Sequence, residues 1–140
     1  MINCSLFAKN LESIDSSFKA GDPPAIVIAD TSKLVAAMEA TDAYYVNTAK
    51  IKFHAEQLAK DRFELPLITI RAGKIVWIEG FHQITPAEAA DLPLIPIQSV
   101  SSLVPQLIQL VGAPAGRQAQ AVAKAKQLYD FAACAGFAIN

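Results

Sequence analysis

Long apolar runs, clustered cysteines, phosphate-type glycine loops and concentrated charge are all missing from this chain. Its longest uninterrupted apolar runs are a handful of residues, far short of the roughly 20 needed to span a bilayer as a helix. The opening stretch MINCSLFAKNLESIDSSF has no basic segment followed by an apolar block, so no signal peptide is readable and a cytoplasmic protein is expected. Cys4 and Cys134 sit near opposite ends and match no metal or redox spacing, so free thiols are expected. No G-x-x-x-x-G-K, G-x-G-x-x-G or G-x-S-x-G motif occurs, which removes the most easily recognised nucleotide-binding and hydrolase classes. Only His54 and His82 are available as histidines, without acids or cysteines at ligand spacing, so no dedicated metal site is expected. A net charge of −1 argues against strong non-specific binding to nucleic acid or membrane.

What is present is apolar residue in quantity, 53 % over 140 positions, enough for one domain with a substantial core. Phe7, Leu11, Ile14 and Phe18 recur at helical spacing, with Gly21 placed to end the helix. AIVIAD reads as a short buried strand, and Asp30, Thr31 or Ser32 can cap a following helix that turns Leu34, Val35 and Met38 inward. AYYVN has strand composition, and Ile51, His54 or Ala55, and Leu58 mark a charged helix ending before Pro66. PLITIRAGKIVWIEG is the clearest hairpin, its two β-branched runs flanking Ala72-Gly73. In TPAEAADL, Thr85 can cap, Pro86 fits the first helical position and Glu88 completes the capping box. LIPIQ returns to strand. Leu103, Leu107 and Leu110 with Val104, Ile108 and Val111 form an apolar helix closed by Gly112, and residues 117–135 read as a further, alanine-rich helix. The fold class expected is α/β (α+β): a small mixed sheet with a hairpin and a helical C-terminal extension. One domain is expected, divided into a helix–strand–helix segment (1–42), a core (43–98) and C-terminal helices (99–140).

Two places could carry chemistry. Lys50, Lys52, Lys60, Arg62, Arg71 and Lys74 outnumber the acids of their window by three, giving a weak candidate surface for nucleic acid, with a solvated face as the simpler reading. The segment Glu79-Gly80-Phe81-His82-Gln83 follows a strand and precedes a helix, where a glycine and free N–H groups favour anions. Within it Glu79 and His82 are the catalytic candidates, and Gly80, Phe81, His82, Gln83 and Thr85 the ligand-binding ones. The opposing reading makes Phe81 a core plug, His82 a satisfied side chain, Gly80 a turn and Thr85 a cap.

The run LPLITIRAGKIVWIEGFHQITPAEAADLPLIPIQ resembles the core of the ParB/sulfiredoxin-like superfamily. The matching pieces are Pro66 to Ile70, Lys74 to Ile78, Glu79-Gly80, His82-Gln83, Ala87 to Ala90 and Ile95 to Ile97, with YYVNTAKIKFHAEQL similar to the family's first strand and helix. The resemblance covers about residues 43–98. It implies a nucleotide- or phosphate-binding Gly-x-His-Arg segment, in a family that includes partition CTPases, sulfiredoxin, small-molecule kinases and nuclease-like plasmid factors. Three departures bear on activity. Gln83 stands at the arginine position and brings no charge; Phe81 stands at the sulfiredoxin cysteine position; and a helix beginning at Thr85-Pro86 lacks one N–H donor.

The resemblance with these departures implies a degenerate member: a non-catalytic or weakly active binding and interaction module, of plasmid, phage or other mobile-element setting. Its expected partner is a protein or a second copy, through the helices from Leu103 onward, unless those helices simply cover the sheet. The alternatives are a nucleotide- and Mg-dependent enzyme or nuclease using residues 79–83, and a DNA-binding accessory using Lys50, Lys52, Arg71 and Lys74.

Overall fold

A computed structural model describes residues 2–8, 10–113 and 137–139. In chain order the elements are β1 (Ile2–Ser5), β2 (Pro24–Asp30), α1 (Thr31–Ala40), α2 (Thr48–Ala59), β3 (Arg62–Glu64), β4 (Leu67–Arg71), β5 (Lys74–Glu79), α3 (Phe81–Ala89), β6 (Leu94–Val100), α4 (Val104–Val111) and β7 (Phe137–Ile139). A single 3-10 turn at Ser101–Leu103 leads into α4. The fold is mixed α/β, and among the described residues the strands form two sheets rather than one. In the first, β1 lies between β3 and β7, parallel to both. The second has the order β2-β6-β4-β5, mixed in direction: β2 is antiparallel to β6, β6 parallel to β4, and β4 antiparallel to β5.

Local chemistry explains most of the second sheet. Ala72 and Gly73 both adopt positive φ, 51° and 74°, the geometry a two-residue turn needs to match the strands' twist. Asp30 ends β2 and caps α1, accepting from the Ser32 and Lys33 N–H groups. Val27, Ile28, Ala29, Ile95 and Ile97 are buried on the paired strands β2 and β6. Leu34 and Met38 of α1, Ile84 of α3 and Val104, Leu107 and Val111 of α4 close over them in one cluster. Cys4, Phe63 and Phe137 of the first sheet belong to the same cluster. Each fully buried aliphatic side chain contributes about 1.5–3 kcal/mol. Because Val104, Leu107 and Val111 are spent on this core, α4 offers mainly Leu110 to the outside.

Three expectations are corrected. Residues 10–22 are a series of turns and not a helix. Leu11 and Phe18 are still buried, against Leu67 and Val100, but Ser13, Asp15 and Ser17 bond to nearby groups of this loop and so compete with helical bonding. Buried Gln98 pins the loop, accepting from Phe7 N–H at 3.0 Å and donating to the Ala8 carbonyl at 2.6 Å. Second, Ala43 to Asn47 is an irregular connection and not a strand. Third, α3 starts at Phe81, so Thr85 and Pro86 lie within it and neither caps nor opens it. The C-terminal region includes a strand, β7, beside helix α4. The expected helix over 117–135 lies outside the described residues.

Candidate functional site

The turn from β5 into α3 is tight because Gly80 makes it so. Gly80 has φ 153° and ψ −14°, and a Cβ there would lie 2.6 Å from Pro66 Cβ and 3.3 Å from Trp77 Cε3. The chain therefore passes from strand to helix without a spacer, and its next three side chains point into protein. Phe81, His82 and Gln83 are 8, 2 and 0 % exposed.

Phe81 is boxed by aromatic rings, with centroids 5.3 Å from Tyr44, 5.9 Å from Tyr45 and 5.4 Å from Trp77. His82 Nε2 accepts the backbone N–H of Asn47 at 3.0 Å, and the Tyr45 ring stands edge-on to the imidazole at 4.9 Å. The 43–47 connection is thus a strap over the start of α3, and the same Asn47 caps α2 by accepting the Lys50 N–H at 3.1 Å. Burial pushes the His82 pKa down, Lys50 adds to this, and Glu79 opposes it. A neutral imidazole is what the Asn47 bond requires, since a protonated Nε2 has no lone pair to accept with. Gln83 donates from Nε2 to Glu64 Oε1 at 3.2 Å, while its buried Oε1 has no partner among the described residues.

Of the other sequence candidates, Thr85 lies half-buried inside α3, and Glu79 is half-buried at the end of β5. Lys50 and Lys52 are exposed on α2; Lys50 donates to the Tyr45 hydroxyl at 3.2 Å and acts electrostatically on both Glu79 and His82. Arg71 and Lys74 flank the turn at the opposite end of the hairpin, about 17 Å of strand from Glu79 at ~3.4 Å per residue. Arg71 is ion-paired with Asp15. The basic residues therefore fall into two groups, one on α2 and one at the hairpin turn.

Sequence reasoning missed the open part of this region. Between α2 and the β1–β3 pair lies a cleft of about 300 Å³, lined by Asn3, Ser5, Phe53, His54, Arg62 and Glu64 among others. Burial raises the Glu64 pKa, assisted by Glu79 and opposed by the Gln83 bond. Burial lowers that of His54, against Glu79. Only the helical register of His54 hinted at this; Glu64 lies on a three-residue strand with no periodic signal. Among the described residues no group of three or more His, Cys, Asp or Glu side chains is placed to hold a metal, and no helix is long and apolar enough to cross a membrane.

No family model matches the chain, and no curated protein matches it. Among solved structures it is similar to the oncogenic suppression activity protein, described as a plasmid fertility inhibition factor and solved as a gold(I) cyanide derivative. The TM-score is 0.55 at 17 % identity, over 69 % of this chain and 61 % of that one. The chain thus matches less than two thirds of that protein's length, and the likeness is one of fold.

Proposed function

We propose that this chain is a binding and interaction module on a degenerate ParB/sulfiredoxin-like core, without nucleotide-dependent catalysis at residues 79–83. The observation that carries this reading is the burial of Phe81 and His82 beneath the Tyr44–Asn47 strap and of Gln83 against Glu64. The side chains that a phosphate would meet are committed to the fold: His82 to Asn47, Gln83 to Glu64, and Phe81 to an aromatic box. Charge adds to this, because Gln83 lacks the cation that a nucleotide phosphate pairs with.

Partner engagement in this reading moves to the outer side of the strap and α2. Tyr45, Val46 and Phe53 are 51, 58 and 55 % exposed, and α2 buries no residue fully. Exposed Lys50, Lys52 and Lys60 surround these apolar groups against Glu56, so the complementary partner is a protein surface that is apolar and acidic. A plasmid or other mobile element is the proposed setting; the fold likeness to a plasmid fertility inhibition factor supports it.

The test is titration of the purified chain with CTP and with ATP, each with Mg²⁺, following thermal unfolding. The melting temperature stays fixed in this reading. A ligand at about 100 times its dissociation constant adds about 2.7 kcal/mol, so an upward shift that His82→Ala abolishes overturns the reading.

One arrangement favours a second reading, acid–base catalysis in the cleft. His54 and Glu64 both line it, and burial favours the neutral form of each, lowering the His54 pKa and raising that of Glu64, so that one can accept and the other donate a proton. Phosphodiester hydrolysis that His54→Ala and Glu64→Gln each abolish would establish it; full activity in either variant removes it.

A further inference from the structure

The geometry points to self-association of this chain through the free edge of β5, pairing antiparallel with β5 of a second copy. This rests on the hairpin and is independent of the α2 surface and of the buried side chains Phe81, His82 and Gln83. β5 ends its sheet, with β4 on one side and no strand on the other among the described residues. The two-residue turn makes Arg71 and Lys74 a hydrogen-bonded pair, and such pairs alternate along an antiparallel ladder. Thr69 and Val76 form the next one, so the N–H and C=O groups of Ile75 and Trp77 face away from β4. No described residue bonds to them.

Natural edge strands usually carry a proline, a mid-strand charge or an outward bulge that blocks pairing. β5 reads Lys-Ile-Val-Trp-Ile-Glu, with charges only at its ends and an apolar centre. The register irregularity places one extra residue, Ile78, on β5 immediately after Trp77, so the bulge leaves the Ile75–Trp77 segment itself regular. The occupant follows from this pattern. A two-fold axis normal to the sheet keeps each side chain on its own face, so paired residue numbers must sum to an even number. The register that uses both free residues sets Ile75 against Trp77 of the second copy, and Val76 against its own counterpart. Four backbone hydrogen bonds result, and the self-complementary contact closes as a dimer. Antiparallel pairing also brings the Lys74 end of each strand beside the Glu79 end of its mate. Parallel pairing would set like charges together.

Val76 is half-exposed and belongs to neither core cluster, so it can be changed without opening the interior. The test is sedimentation equilibrium of the full chain over a concentration series. The wild type shows a monomer–dimer equilibrium. Val76→Lys and Val76→Glu each set like charges directly opposite and weaken the dimer about tenfold or more, a change of about 1.4 kcal/mol. An equimolar mixture of the two restores dimer, an outcome that a folding defect cannot produce. Lys74→Glu, at an exposed strand end, weakens it less. A wild type that stays monomeric throughout overturns the proposal. Single variants that associate as the wild type does, or a mixture no more dimeric than its components, do the same.

Discussion

Replacing Gly80 by alanine tests the turn on which the whole region depends. The new Cβ meets Pro66 Cβ at 2.6 Å and Pro66 Cα at 3.2 Å, distances that real side chains do not tolerate. Pro66 is buried between β3 and β4, and its carbonyl accepts the Gln98 N–H at 2.8 Å, so it cannot simply withdraw. Over-packing of this kind costs about 1–3 kcal/mol. A non-glycine residue held at this φ adds strain on the order of 1–3 kcal/mol. Together they predict a loss of about 2–6 kcal/mol, a large part of a typical domain's stability. The chain's single tryptophan, Trp77, lies against both Gly80 and Phe81, so urea unfolding followed by its fluorescence reads the effect directly. An unchanged slope with a midpoint displaced by the equivalent of at least ~2 kcal/mol is expected. A loss below about 0.5 kcal/mol would refute the close approach, and with it the account of why α3 starts at Phe81.

Further predictions follow from the same geometry. His82 has a folded-state pKa below its ordinary value of 6.5, so the unfolded chain binds the proton first as pH falls. Its contribution is complete above about 6.5 and declines below that value. His54 acts in the same direction, while Glu64, with its pKa raised, contributes at low pH and loses this as pH rises. His82→Gln, which can still accept from Asn47, reduces the acid-side loss measured by urea unfolding between about pH 7.5 and 5.5; an unchanged profile contradicts the role given to His82. Burial pushes the Cys4 thiol up to about 12 from 9.0, lowering its thiolate fraction on the order of 1,000-fold. In a Cys134→Ser background, alkylation of Cys4 is correspondingly slow until the chain unfolds, and prompt native labelling counts against its burial. Arg71→Ala breaks the pair with Asp15, whose pKa the Arg71 bond holds down to about 2. Because Arg71 is half-exposed, the loss is no more than about 1 kcal/mol by urea unfolding.

How much of this could be read from sequence depended on whether the signal was local. The hairpin, β2, α1, α2, β6 and α4 each carry their own turn, cap or periodicity, from Ala72-Gly73 to Asp30 and Gly112. The segment 10–22 shows how apolar spacing misleads: Leu11 and Phe18 are inward-facing in a turn-rich loop as they would be in a helix. The first sheet was illegible, because β1, β3 and β7 are four, three and three residues long, too short for a periodic pattern, and pair across nearly the whole chain. For the candidate site the sequence singled out residues 79–83 but could not say which way they faced. That depended on Tyr44, Tyr45 and Asn47, whose composition suggested a strand and whose position makes a strap. His54 and Glu64 come together only through the packing of α2 and β3.

His82 serves the fold as a neutral acceptor, and in the proposed function it makes no phosphate contact. Histidine-detected ¹⁵N NMR of the full chain, recorded near neutral pH without and with CTP–Mg²⁺, tests this role most directly. A neutral imidazole protonated at Nδ1 is expected, with Nε2 bonded to a protected Asn47 amide and neither signal altered by nucleotide. An imidazolium, a proton on Nε2, or a nucleotide-dependent shift of these resonances would contradict it.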